Sequence, residues 1–159
     1  MDKKVDLKKL PTKRKKSVPL ISIEETVNYL RCYFITEDFS IKDKQIMKQI
    51  NSEIKKKRTS YKSQDVSKKK YNEQTFISEE EIYEKMLVSD MKCYYCKCNT
   101  CIFYKEVRQS DQWTLERINN LHGHSNTNTV IACLDCNLKR RDKNSDAFQF
   151  AKQLVIKKI

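Results

Sequence analysis

The chain has 159 residues, enough for one domain of ordinary size with some tail, and its 33 Lys and Arg against 21 Asp and Glu give a formal net charge of +12. A single Gly and two Pro exclude collagen-like and Pro/Gly low-complexity chains and disfavour a sandwich of tight hairpins, and no run of about 18 apolar residues offers a transmembrane span. A positive charge of this size points to a polyanionic partner, nucleic acid first, against the plainer alternative of a lysine-rich solubilising surface.

The charge is unevenly spread: residues 1–70 hold 20 Lys/Arg and 9 Asp/Glu, residues 71–159 hold 13 and 12. The opening MDKKVDLKKLPTKRKK has no apolar run and does not read as a secretory signal. Residues 1–19 read as a disordered basic tail punctuated by Pro11 and Pro19. Its block Lys13, Arg14, Lys15 and Lys16 suits phosphate contacts or a nuclear-import address. Residues 20–57 read as a helical basic region. Ser22-Ile-Glu-Glu25 is a capping box opening a helix with Ile23, Val27, Leu30 and Phe34 at helical spacing. Ser40 precedes a second helix with Ile46, Met47, Ile50 and Ile54 on one face. It ends in Lys55, Lys56, Lys57 and Arg58, a second candidate phosphate-binding block whose charge suits a helix C-terminus. Residues 58–75 are polar and unpatterned and read as a linker.

Residues 76–159 read as the second unit. Ser78-Glu79-Glu80-Glu81 is a capping box with Ile77 and Ile82 at the staple positions, and Ile82, Tyr83, Met86 and Leu87 form the apolar face of a third helix. Cys101–Val107 and Trp113–Ile118 read as short strands, with Val130-Ile-Ala as a further apolar run. The loop 119–129 between them holds the only Gly, Gly123, and both His, His122 and His124. Residues 134–143 read as a helix whose basic end, Lys139, Arg140 and Arg141, is a third candidate for nucleic-acid contacts. Ser145 can cap a last helix carrying Ala147, Phe148, Phe150, Ala151, Leu154 and Val155.

Of seven Cys, six lie between positions 93 and 136, all in CxxC pairs. Without a secretory signal the expected setting is an intracellular, reducing compartment, where such pairs are metal ligands rather than disulfides. Cys93, Cys96, Cys133 and Cys136 supply four thiolates, enough for a tetrahedral structural Zn²⁺ site that staples a small core. Cys98 and Cys101 form an overlapping third pair and are alternative ligands or bystanders. Cys32 stands alone in a helical stretch and reads as a small core residue.

Over residues 77–145 the segments CYYC, WTLERINNLHGH and NTVIACLDCNLKR resemble the HNH nucleases with zinc knuckles, in particular the phage and large-virus type. The resemblance implies an α+β fold, a zinc-stabilised ββα-metal (treble-clef-like) domain preceded by the helical basic region. It implies an endonuclease that hydrolyses DNA phosphodiester bonds with Mg²⁺ or Mn²⁺ as catalytic cation. Glu116 matches the acidic cation ligand, Asn137 the second ligand, and Asn128 the Asn that ties the loop together. Cys93, Cys96, Cys133 and Cys136 match the zinc ligands. Hydrolysis needs charge stabilisation at the phosphate and a base to activate water. Arg117 stands where the family usually has the base His. A guanidinium stays protonated, so Arg117 can bind phosphate or stabilise transition-state charge but cannot be the base. Asn119 stands where relatives often have Asp. The base then falls to the loop, to His124 beside Gly123 or else to His122. The alternative is a catalytically inactive, zinc-containing nucleic-acid-binding protein of the viral transcription or packaging kind; for either reading the nucleus or a viral factory is a compatible location. A treble-clef adaptor of the ubiquitin-ligase kind fits less well, because a RING needs a longer Cys/His series.

Overall fold

The computed structural model of the chain describes residues 18–19, 21–35 and 41–154. The block Lys13–Lys16, the expected cap Ser40 and Val155 lie outside them, as does the side chain of Phe34. Helix α1 (Ile23–Ile35) starts at a reciprocal capping box. The Glu25 N–H donates to Ser22 Oγ at 3.0 Å and the Ser22 N–H donates to Glu25 Oε2 at 2.7 Å. Helix α3 (Glu79–Val88) repeats the device with Ser78 and Glu81. Between them runs α2 (Ile41–Ser67). Val27 and Leu30 of α1, Ile46, Met47, Ile50 and Ile54 of α2, and Ile77, Ile82, Tyr83 and Met86 around α3 join one buried cluster with Met91, Ile102, Trp113, Leu115 and Ile131. The expected division into a helical region and a separate zinc-bearing unit is therefore corrected: both bury their apolar faces in a common core.

The linker expected at 58–75 is corrected too, since α2 stays helical to Ser67. Its second half is anchored by polar groups on the side that continues from Ile54. Arg58 Nε donates to Ile77 O at 2.7 Å, the Tyr61 hydroxyl accepts the Leu115 N–H at 3.0 Å, and Asp65 is buried against His124. Lys57 Nζ donates to Trp113 O and lies 4.7 Å from the Trp113 ring centroid. Those contacts stabilise the helix where an apolar stripe is missing.

Strand β1 (Trp113–Arg117) pairs antiparallel with β2 (Thr129–Cys133), with Thr114 opposite Ala132 and Glu116 opposite Val130. Alternation sends Trp113, Leu115 and Ile131 into the large core and Thr114, Glu116 and Ala132 to the other face. There α4 (Leu134–Arg140) lies, followed by α5 (Ser145–Gln153). A smaller cluster of Cys93, Tyr95, Ala132, Cys133, Cys136 and Phe148 fills this side. Residues 101–107 do not form the expected strand. One bridge, Cys101 to Gln112, replaces it, and side chains serve the local backbone: Gln109 Oε1 accepts the Lys105 N–H and Gln112 Nε2 donates to Val107 O. Helix α4 stops at Arg140 because Arg141 takes a left-handed φ of 54°. The cap of α5 is Asn144, not Ser145. Asn144 Oδ1 accepts the Ala147 N–H at 3.0 Å, while Ser145 is buried with its hydroxyl 3.2 Å from the Tyr95 hydroxyl. Of the apolar residues expected on α5, only Phe148 among those described is buried. Among the described residues no helix is long and apolar enough to cross a membrane.

Candidate metal centre and loop site

The thiols of Cys93, Cys96, Cys133 and Cys136 all lie within 4.8 Å of one another. The first pair sits in a turn closed by two bonds, Lys97 N–H to Cys93 O at 3.0 Å and Cys93 N–H to Cys98 O at 2.8 Å, with Lys97 at a φ of 59°. The second pair sits where β2 runs into α4. Cys133 is the N-cap, its Sγ accepting the Cys136 N–H at 3.4 Å. Cys96 and Cys133 are 3.8 Å apart, close to the edge of a tetrahedron built on metal–sulfur bonds of about 2.3 Å. A hydrogen bond from Cys133 holds the Cys93 thiol well down, to about 4, with backbone N–H groups assisting and burial opposing. Burial pushes Cys136 up, to about 12. A cation would displace these protons, and four converging sulfurs fit a borderline-soft tetrahedral ion such as Zn²⁺. Cys98 reaches the rim of the cluster, 3.1 Å from Cys96. Cys101 does not: its sulfur accepts from Gln109 Nε2 at 3.6 Å, so it is a bystander.

The residues matched to a catalytic cation are engaged otherwise. Arg140 is buried at 1% exposure although it was expected among the nucleic-acid contacts, and that expectation is corrected. Its guanidinium reaches Glu116 Oε1 at 2.7 Å through Nε and 2.6 Å through Nη2. It also donates to Arg117 O at 2.5 Å, Lys143 O at 2.8 Å and Asn120 Oδ1 at 3.2 Å. Burial pushes the Glu116 carboxyl up, against the pull of Arg140. Asn137, one turn before Arg140, points its amide nitrogen at Thr114 Oγ1 at 3.2 Å. A guanidinium thus occupies the oxygen-lined space beside Glu116. Placing Mg²⁺ or Mn²⁺ there would set two positive charges side by side, so these donors, as arranged, do not fit a divalent cation.

Glu116 and Arg117 are consecutive in β1 and point to opposite faces. On the Arg117 side lies the loop. Arg117 Nη1 donates to His122 O at 3.1 Å, and His122 itself is exposed. Asn128 ties the loop together: it donates to Asn119 O and Gly123 O and accepts the Asn119 N–H, all at 2.9 Å. His124 is 3% exposed and is gripped twice by Asp65 of α2: its N–H reaches Asp65 Oδ2 at 2.6 Å and its Nδ1 lies 2.8 Å from Asp65 Oδ1. The Tyr61 ring lies against it at 4.7 Å. Burial lowers the His124 pKa from its ordinary value and Asp65 pulls it partly back. Asp65 was hidden in the supposed linker. Gly123 makes the approach possible, since a Cβ there would stand 2.4 Å from Lys70 O and 2.9 Å from Asp65 Oδ2. A cavity of about 620 Å³ opens here, its lining including Asp65, Lys69, Lys70, His124 and Asn128.

The basic blocks divide. Lys57 and Arg58 are spent on Trp113, Ile77 and Phe76, Lys56 pairs with Glu53 at 2.7 Å, and Lys139 pairs with Asp135 at 2.9 Å. Lys55, Lys69 and Arg141 have exposed side chains. Comparison of the chain with protein-family models, with curated proteins and with solved structures finds no match.

Proposed function

We propose that the protein is an endonuclease that hydrolyses phosphodiester bonds in DNA, with His124 as the general base and the cysteine cluster holding a structural Zn²⁺. The observation that carries this reading is the buried Asp65–His124 pair on the wall of a lysine-lined cavity. With the Asp65 carboxylate accepting at Nδ1, the ring proton sits on that nitrogen and Nε2 keeps its lone pair for a proton of water. The lowered pKa keeps His124 neutral, as a base must be at neutral pH. Lys69, which lines the same cavity as His124, and Arg117, whose charge acts on His124, supply positive charge for the phosphate and its developing negative charge. The order strand, Asn-tied loop, strand, helix, with thiols at the joint, agrees with the ββα-metal resemblance.

A second reading, a zinc-containing module that binds nucleic acid without cutting it, is favoured by the Arg140–Glu116 pair, which fills the space of the family's catalytic cation. Incubation with supercoiled plasmid, with Mg²⁺, with Mn²⁺ and with EDTA, separates the two. Conversion to open-circular or linear DNA supports the nuclease. Gel retardation with intact plasmid under every condition supports the binding module and ends the first reading.

A further inference from the structure

The cysteine cluster has a buried side and an open side. Cys93, Cys133 and Cys136 are at most 2% exposed, whereas Cys96 is half-buried and Cys98 is exposed. The turn that carries the first pair is the cause. Its closing bond from the Cys93 N–H to Cys98 O folds residue 98 back over residue 93, and the left-handed Lys97 sets the direction. The Cys98 sulfur ends 3.1 Å from that of Cys96. Four thiols therefore converge on one tetrahedral position, and Cys98 stands as a fifth beside Cys96 at its outer corner. Three are fixed by packing, with Tyr95, Ala132 and Phe148 behind them. The other two lie at the solvent edge on a short turn, with their sulfurs in contact.

We propose that Cys96 and Cys98 share the fourth corner of the metal site, so that one cation is held by Cys93, Cys133 and Cys136 together with either of the two. The chemistry asks for no more than a thiolate at the outer corner, and both residues supply the same donor. Whichever thiol is not bound remains beside the ion and replaces the other without the chain opening. Cys98 then has a role that the pairing of CxxC motifs does not assign, and loss of Cys96 alone leaves a complete donor set.

The test uses the full chain and Co²⁺ as probe, whose sulfur-to-metal charge-transfer absorption rises with the number of bound thiolates, together with Zn²⁺ retention against a chelator. Wild type, Cys96→Ser, Cys98→Ser, Cys96→Ser/Cys98→Ser and Cys93→Ser are compared at equal concentration. Both outer single variants are expected to bind one equivalent with wild-type charge-transfer intensity and to hold Zn²⁺ within about threefold of wild type. The double variant and Cys93→Ser should lose about a quarter of that intensity and hold Zn²⁺ at least about tenfold more weakly. If Cys96→Ser is as weakened as the double variant, or fails to fold with metal present, Cys98 is no ligand and the proposal is overturned. Wild type that takes up no Co²⁺ overturns it together with the metal centre. None of these outcomes depends on DNA cleavage, so the proposal and the nuclease reading fail separately.

Discussion

Arg140→Met is the sharpest perturbation of this fold. Methionine keeps most of the side-chain volume and removes the guanidinium. In the native protein that group is 1% exposed and satisfies a buried carboxylate, two carbonyls at 2.5 and 2.8 Å and one amide oxygen. Removing one partner of a buried ion pair costs about 3–5 kcal/mol, because the other charge is left unpaired. The freed carbonyls of Arg117, at the end of β1, and of Lys143, between α4 and α5, add about 1 kcal/mol or more each unless water replaces the donor. A loss of about 5–7 kcal/mol is a large part of the about 5–15 kcal/mol expected of a domain. Urea unfolding of the full chain with excess Zn²⁺, read by Trp113 fluorescence, measures it. The companion Glu116→Gln/Arg140→Met removes both charges and should recover about half of the loss, and the single Glu116→Gln variant closes the cycle that yields the coupling. Arg140→Lys should recover little, since an ammonium cannot span the same acceptors. A loss under about 1 kcal/mol for Arg140→Met would refute the strut and leave Glu116 free to ligate a divalent cation.

Gly123→Ala should destabilise by about 1–3 kcal/mol and weaken the grip of Asp65 on His124, because the added methyl meets a backbone carbonyl at 2.4 Å; thermal melts and the His124 NMR resonances report it. His124 is held neutral in the fold with its pKa below the ordinary value of 6.5. Its contribution to stability is therefore present above that value and lost as pH falls toward the folded pKa, so wild type should lose more stability than His124→Gln on acidification from about pH 7.5 to 5.5. Asp65→Asn removes the charge that raises the His124 pKa and should move the acid limb of the cleavage pH profile to lower pH while reducing the rate; an unchanged limb would detach Asp65 from the base. Tyr61→Phe removes the acceptor of the Leu115 N–H and should cost about 1 kcal/mol in urea titrations.

The helix starts at Ser22 and Ser78, the apolar faces of α1 and α3 and the four-cysteine cluster were legible in the sequence because each rests on a local pattern of fixed spacing. The second half of α2 was not, for a physical reason. The side that carries Ile50 and Ile54 continues as Arg58, Tyr61 and Asp65 at helical spacing, but these anchors are polar, and an apolar periodicity search passes over them. Asp65 became a candidate only when α2 placed it against a loop 59 residues away. Arg140 misled in the opposite sense. In sequence it belongs to the run Lys139–Arg141, and nothing local tells that the middle residue faces inward to Glu116. The spacing in CYYCKCNTC likewise left Cys98 and Cys101 equivalent; the left-handed turn at Lys97 brings one to the cluster, while the other meets Gln109.

The central claim, that His124 is the base of a phosphodiester hydrolysis, is tested most directly by the single-turnover nicking rate of supercoiled plasmid by wild type and His124→Ala at matched zinc content, with DNA retention measured in parallel. A general base contributes about 10²–10⁴-fold. The account predicts a loss of at least about 100-fold in the variant with retention unchanged. Equal rates in the two proteins, or retention without any nicking by wild type, would contradict it.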